Sequence, residues 1–350
     1  MSKFVKKIKI IKPDDWHVHL RDNEILNQVI KYTGKFYKRA VIMPNLNSPI
    51  TSCLKSIAYR NRILKSMHLN YKFKPLMTCY LTNSTSPKEL EFGFSKKIFV
   101  AAKFYPNGCT TNSKTGIKKI SDITPVLECM EKIGMPLLIH GEEINQNIDI
   151  YDREAKFIEK TLDPLRKKFP KLKIVLEHIT TKESVEYIKN NDVNYLSATI
   201  TPHHLMLNRN DMFYGGIQPY LYCLPILKKN KHRMALRKAI SNGDKHFFLG
   251  SDTAPHLHKN KINMLGCAGI FNAPSSLLSY VKVFEEMRAL KYLQSFCSEN
   301  GPKFYNMPIN KETITIIKKP CKIIKKINVG RNVIIPFLSG EILNWSIESD

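Results

Sequence analysis

No CxxC pair occurs among the eight cysteines, which stand scattered at 53, 79, 109, 129, 223, 267, 297 and 321. Zinc-ribbon and redox-pair spacings are thus absent, cysteine is not expected as the main metal ligand, and a reduced, cytoplasmic protein fits. No run approaches the ~20 apolar residues of a membrane span. The N-terminal MSKFVKKIKIIKPDD is basic but has no apolar h-region and no small-residue cleavage site, so no secretory signal is read there. It reads instead as the lead-in to a first strand. No GxGxxG follows an early strand, which removes the main marker of a dinucleotide-binding open sheet. No linker, internal repeat or composition break divides the 350 residues, and one domain over 1–350 is expected.

Acidic residues are also few. Thirty Asp and Glu against 55 Lys and Arg leave a formal net charge of +25. That balance raises the question of nucleic acid. The lysines, however, are spread over the whole length, and no base-stacking aromatics interleave with them as a module. The bias toward Lys, Ile, Asn and Tyr fits an AT-rich genome, and neither a nucleic-acid partner nor a membrane is expected. The charge remains available to attract an anionic substrate.

What is present is an alternation of short apolar runs with longer amphipathic segments. Strands are expected in IIKPDDWHVHL (10–20), KRAVIMP (38–44), KPLMTCYL (74–81), KIFVAAKFYP (97–106), MPLLIHG (135–141), LKIVLEHIT (172–180), NYLSATITP (194–202) and KHFFLGSD (245–252). Helical patterns fall between them, as in 52–67, 121–134 and 181–190. Fully apolar strands separated by helices indicate a parallel sheet covered on both faces. Eight such units in about 250 residues indicate an α/β fold, a (β/α)8 TIM barrel, with a doubly wound open sheet as runner-up. C-terminal helices follow residue 270, and the tail is expected to add short strands or an extended arm.

The stretch DDWHVHLRD (14–22) holds two histidines two apart. Residues i and i+2 of a strand face one side, so His17 and His19 can converge on one ion. A lone HxH is weak, because packing histidines are commoner. Yet His140, His178, Asp252 and Lys103 all fall near the C-terminal ends of other strands, where active sites of barrels lie. Nitrogen and oxygen ligands without thiolate suit zinc, and also cobalt or manganese. His203 and His204 are adjacent and expected to point apart as packing or loop residues. His68, His232, His246 and His258 have no consistent companion ligand. His256 follows Asp252 closely enough to touch a ligand.

These segments, together with MPNL, KFYPNGCTTNS, LLIHGE, TPHHLMLNRNDM, LYCLPILKK, LGSDTAPH and GCAGIFNAP, resemble the class II dihydroorotases of the amidohydrolase superfamily over nearly the whole chain. The resemblance implies two zinc ions per chain, one on His17, His19 and Asp252 and one on His140 and His178. It implies a CO2-derived carbamate on Lys103 bridging both, and a homodimer. It places Arg21, Asn45 and His256 on the substrate carboxylate, the backbone at Leu224 and Ala268 on the ring edge, and Thr110 and Thr111 on a mobile lid that touches the ligand. The implied reaction is the reversible cyclisation of N-carbamoyl-L-aspartate to L-dihydroorotate and water, in pyrimidine biosynthesis, with Asp252 carrying the proton. Cyclisation consumes a proton, so lower pH is expected to favour dihydroorotate. Cys109, before the lid threonines, is the main departure from the family pattern. Hydantoinase-like cyclic amidases share the metal set but need no match at Arg21, Asn45 and His256. An inactive scaffold relative is expected to have lost a ligand, and none is missing.

Overall fold

The computed structural model describes residues 5–67 and 73–348. His68 lies outside the described residues. The chain opens with strand β1 (Lys7–Ile11). Eight strands then form one parallel sheet in sequence order: β2 (Asp14–Val18), β3 (Arg39–Ile42), β4 (Lys74–Tyr80), β5 (Ala101–Phe104), β6 (Leu137–Ile139), β7 (Ile174–Leu176), β8 (Leu196–Ile200) and β9 (Phe247–Leu249). Helices lie between successive strands, and Ser276–Glu286 follows the last. All eight expected strands are present, each shorter than its apolar run. The sheet closes beyond β9, where the Asp252 N–H donates to the His17 carbonyl at 2.9 Å and the His19 N–H to the Thr253 carbonyl at 3.0 Å. The fold is a (β/α)8 barrel. Among the described residues, no helix is long and apolar enough to cross a membrane.

The expected first strand, 10–20, is two strands. Pro13 has no N–H to donate and a fixed φ, so the ladder cannot run through it. Before it, β1 pairs antiparallel with β10 (Thr313–Ile317), outside the barrel. The C-terminal tail supplies β10 and five further short strands: β11 (Cys321–Lys322), β12 (Ile327–Val329), β13 (Asn332–Ile334), β14 (Ile342–Leu343) and β15 (Ser346–Ile347). The last of these extends the sheet on the other side of β10.

Period-two alternation divides each barrel strand. Ala102, Phe104, Leu137, Ile139, Ile174 and Leu176 pack outward in the main core, beneath the helices. Val41, Leu76, Ala101, Leu138, Val175 and Phe248 form a separate cluster with Trp16, closing the lumen from below. Trp16 stacks on Tyr305 at 4.3 Å between ring centroids. Two residues further along, within or just past the same strands, come Lys103 after Ala101, His140 after Leu138 and Glu177 after Val175. The lumen therefore changes from apolar to polar within one step of the alternation.

Candidate metal and substrate site

Strand β2 delivers its histidines through an irregularity. Asp15 pairs with Ala40 and Val18 with Ile42, so three steps on β2 match two on β3. One extra residue in a strand is a bulge, which re-aims side chains. Here Trp16 packs in the lumen cluster, yet Val18 packs outward with Ala40 and Ile42. His17 thus turns into the lumen beside Trp16, and His19 follows it on regular alternation. Glu177 fixes the His17 ring, with its Oε2 2.8 Å from Nδ1. That carboxylate orients Nε2 toward the site.

His17 Nε2 and His19 Nε2 stand 3.3 Å apart. Asp252 Oδ1 lies 3.4 Å from the first and 3.1 Å from the second. The rings of His140 and His178 meet edge to face at 4.7 Å, and His17 is 5.0 Å from His178. Glu142 holds His140 at 2.7 Å. Arg21, His178 and Asp252 all have positive φ, at 57°, 41° and 46°. Left-handed backbone at a bulky residue costs roughly 1–3 kcal/mol and collects at functional sites. Each of these residues sits just past a strand end, where the strained turn swings its side chain inward.

Burial sets the charge states. It holds His17 below its usual pKa, and His19 and His178 well below. All three are neutral imidazoles with a free lone pair, as metal ligation needs. Burial also pushes the Asp252 carboxyl up. Lys103 is fully buried, and its amine is brought down to about 8, chiefly by desolvation. Its Nζ, His19 Nδ1 and His178 Nδ1 have no hydrogen-bond partner among the described residues. Buried polar groups are seldom left unpaired. Orphaned nitrogens beside a clustered His17, His19 and Asp252, whose ligand atoms all lie within 4.8 Å of one another, fit a site built around a cation.

A narrow pocket joins this cluster to the expected substrate residues. His17, His19, His140, His178 and Asp252 line it on one side. Arg21, Asn45, Thr110, Thr111, Leu224 and Ala268 line it on the other. His256 stands behind Arg21, its Nε2 3.0 Å from Arg21 Nη2 and 3.0 Å from the Ala268 carbonyl. One ring nitrogen cannot accept from the guanidinium and donate to the carbonyl at once. A carboxylate placed there takes donors from both side chains. The loop carrying Thr110 and Thr111 is closed down: Asn45 Nδ2 donates to the Thr111 carbonyl at 3.0 Å, and Thr111 Oγ1 to the Ala268 carbonyl at 3.3 Å.

His203 and His204 differ from expectation. They lie in a one-turn helix, Pro202–Met206, both buried, with ring centroids 4.5 Å apart. They form a second potential ligand group with Cys223. Both nitrogens of His204 are already engaged, by Thr201 Oγ1 at 2.7 Å and the Pro225 carbonyl at 2.9 Å. The Cys223 thiol is pushed up to about 12 by burial, so it offers no thiolate. Residues missed from sequence are Glu177, Glu142 and Tyr105. The parity that singles out Lys103 and His140 also selects Glu177, two after Val175, so that signal was available.

The pattern of the Amidohydrolase family matches residues 9–343. The chain therefore belongs to that family of enzymes. It is 99% identical over 350 residues, with both chains covered completely, to the dihydroorotase of Buchnera aphidicola subsp. Acyrthosiphon pisum (strain Tuc7). The crystal structure of the Campylobacter jejuni dihydroorotase matches at TM-score 0.90 and 34% identity, covering 99% of each chain. That of the Saccharomyces cerevisiae dihydroorotase with 5-fluoroorotic acid matches at TM-score 0.91 and 32% identity, covering 98% of this chain and 99% of that one. Within the amidohydrolases, the chain is a member of the dihydroorotases.

Proposed function

We propose that the chain interconverts L-dihydroorotate and N-carbamoyl-L-aspartate at a pair of zinc ions, within pyrimidine biosynthesis. His17, His19 and Asp252 would hold one ion, and His140 and His178 the other. Lys103, carboxylated by CO2, would supply an anionic ligand to both. The observation that carries this reading is Lys103: a fully buried amine with no hydrogen-bond partner among the described residues, set near buried imidazoles and the carboxylates of Glu177 and Asp252. A desolvated amine near neutrality reacts readily with CO2, and the resulting anion needs cations to offset its burial. When bound, the ions would polarise the ring carbonyl and acidify water.

The chain's own groups do the rest. Arg21, Asn45 and His256 grip the substrate carboxylate and set the ring's orientation. The backbone at Leu224 and Ala268 meets the ring edge. Thr110 and Thr111 close over the ligand and exclude water. Asp252, its basicity raised by burial, takes the proton of the attacking water and returns it to the ring nitrogen as the C–N bond breaks. The reverse path closes the ring and releases water. A homodimer in the cytoplasm is the expected state, with the chain acting as one unit.

The test is cyclisation of N-carbamoyl-L-aspartate by chain stripped with a chelator and then reloaded. Stripping should abolish turnover, and zinc with CO2 should restore it at two ions per chain. Full activity in the stripped chain, or restoration at one ion per chain, would refute the binuclear reading. Sedimentation of the same sample gives the oligomeric state.

A further inference from the structure

Lys261 ends the short helix His258–Lys261 and is only 5% exposed. Its ammonium donates to three backbone carbonyls: Tyr222 at 2.9 Å, Cys267 at 2.8 Å and Gly269 at 2.8 Å. An ammonium has three protons, and this set uses all of them. No carboxylate is among these acceptors. Burial of a cation on neutral dipoles costs more than burial of an apolar chain of the same length. Stability alone therefore does not account for a lysine here.

The three carbonyls have one thing in common. Cys267 and Gly269 flank Ala268, and Tyr222 stands two residues before Leu224. The Gly269 N–H closes back on the Tyr222 carbonyl at 3.0 Å. Gly269 itself has φ of 140°, and a Cβ there would meet the Ala254 Cβ at 2.8 Å and His256 Nε2 at 2.9 Å. Neither backbone segment belongs to a barrel strand; the sheet reaches only to Ile270, which bridges Thr253 and adjoins Gly269. The Lys261 ammonium joins the Gly269 N–H in tying them together, directly behind the two residues that line the pocket. We propose that Lys261 is a positioning residue, which fixes the backbone of Leu224 and Ala268 against the ring of the substrate. The role rests on the dihydroorotate reading above. A mere loop staple would lower stability without selecting KM over kcat.

Lys261→Met keeps the length and burial of the side chain and offers no donor. Steady-state kinetics with L-dihydroorotate on zinc-loaded wild type and variant should show KM raised about tenfold or more, with kcat within about threefold, because these contacts serve ground and transition states alike. An unchanged KM, or a fall in kcat alone, overturns the assignment. If Lys261→Met does not fold, Lys261→Gln decides: its amide keeps two donors but is shorter, so KM should rise about threefold or more. A folded Lys261→Gln with the wild-type KM overturns the assignment. Wild-type turnover in the same assay separates the two failures. An inactive wild type sinks the dihydroorotate reading and this role with it; an active wild type beside an unaffected variant sinks the role alone.

Discussion

Lys103 shows how one side chain's surroundings decide its chemistry. Its amine, near 8 rather than 10.5, is about one-tenth neutral at pH 7, some 300 times the fraction of a solvent-exposed lysine. That fraction is what the proposed carboxylation by CO2 would draw on. The same shift has a stability consequence in chain freed of metal and CO2. Between pH 8 and 10.5 the unfolded chain binds the proton that the folded chain has lost, so stability rises with pH through that window. The span corresponds to about 3 kcal/mol. The urea midpoint of stripped chain should therefore climb from pH 8 to 10 beyond any climb in Lys103→Met. Equal climbs would contradict the burial argument. In the loaded enzyme, Lys103→Ala should bind fewer ions and lose on the order of a thousandfold in kcat. A two-metal, fully active Lys103→Ala would remove the carbamate from the mechanism.

On the proposed reading Arg21 serves the substrate rather than the ions. Its Nε donates to the Pro255 carbonyl at 3.1 Å and its Nη2 faces His256, so the fork is held in place before substrate arrives. Hydrogen bonds to a charged group are worth roughly 1.5–3 kcal/mol. Arg21→Met should accordingly raise KM about 10- to 150-fold with metal content intact. Measured ion content per chain alongside the kinetics distinguishes this from damage to the metal site.

The turns after the barrel strands are where structure departs most from what the sequence displays. Glu154, on the helix Arg153–Phe157, reaches into the turn after β7. It accepts from the backbone N–H groups of Thr180 and Thr181 at 2.9 Å and from the hydroxyls of Thr180, Thr181 and Ser184. This bundle of donors holds the turn that follows His178 and its positive φ. Glu154→Ala leaves several buried donors without an acceptor. The expected loss is about 3 kcal/mol or more in unfolding free energy, read from urea melts, together with weaker retention of metal under a chelator. A variant that melts like wild type would detach Glu154 from the support of His178. None of this is legible along the chain, because Glu154 and Thr180 are distant in sequence and Glu154 lies in an ordinary helical pattern. Seven of the eight barrel strands, β3 to β9, were legible as short apolar runs bounded by turn residues, and β2 (DDWHV) through its alternation. So was the polar end of the lumen, since alternation carries a polar residue into it two places after an apolar one. The bulge in β2 was not, because an extra residue leaves no mark in hydropathy. Nor was the separation of β1 from β2, for which Pro13 was the available sign. His203 and His204 were read as strand or loop residues pointing apart, and a single helical turn brings their rings together instead.

The net charge of +25 bears on the substrates as well as on solubility. N-carbamoyl-aspartate carries two carboxylates and dihydroorotate one, and cyclisation takes up one proton. It is tempting to expect the dianion to respond more strongly to salt. The two directions share one transition state, however, and their kcat/KM values have a ratio fixed by the solution equilibrium, which the protein cannot alter. Any long-range attraction must therefore appear nearly equally in both directions at fixed pH. Screening shortens from about 30 Å at 0.01 M salt to about 3 Å at 1 M. If the positive field reaches the barrel mouth, kcat/KM should fall about threefold or more between ~0.02 M and ~0.5 M potassium chloride, in both directions and by similar factors. Part of that field is local, since Arg21, Lys55 and Arg62 line the outer cleft beside the pocket together with Asp22 and Glu24. Arg62 is already paired with Asp22 at 2.8 Å, which leaves Lys55 as the exposed test of the local share. Lys55→Gln should flatten the salt dependence in both directions while leaving kcat unchanged at high salt. A kcat/KM that ignores salt in the unaltered chain would show that the lysines are spread too evenly to draw substrate in, and that the charge reflects composition alone.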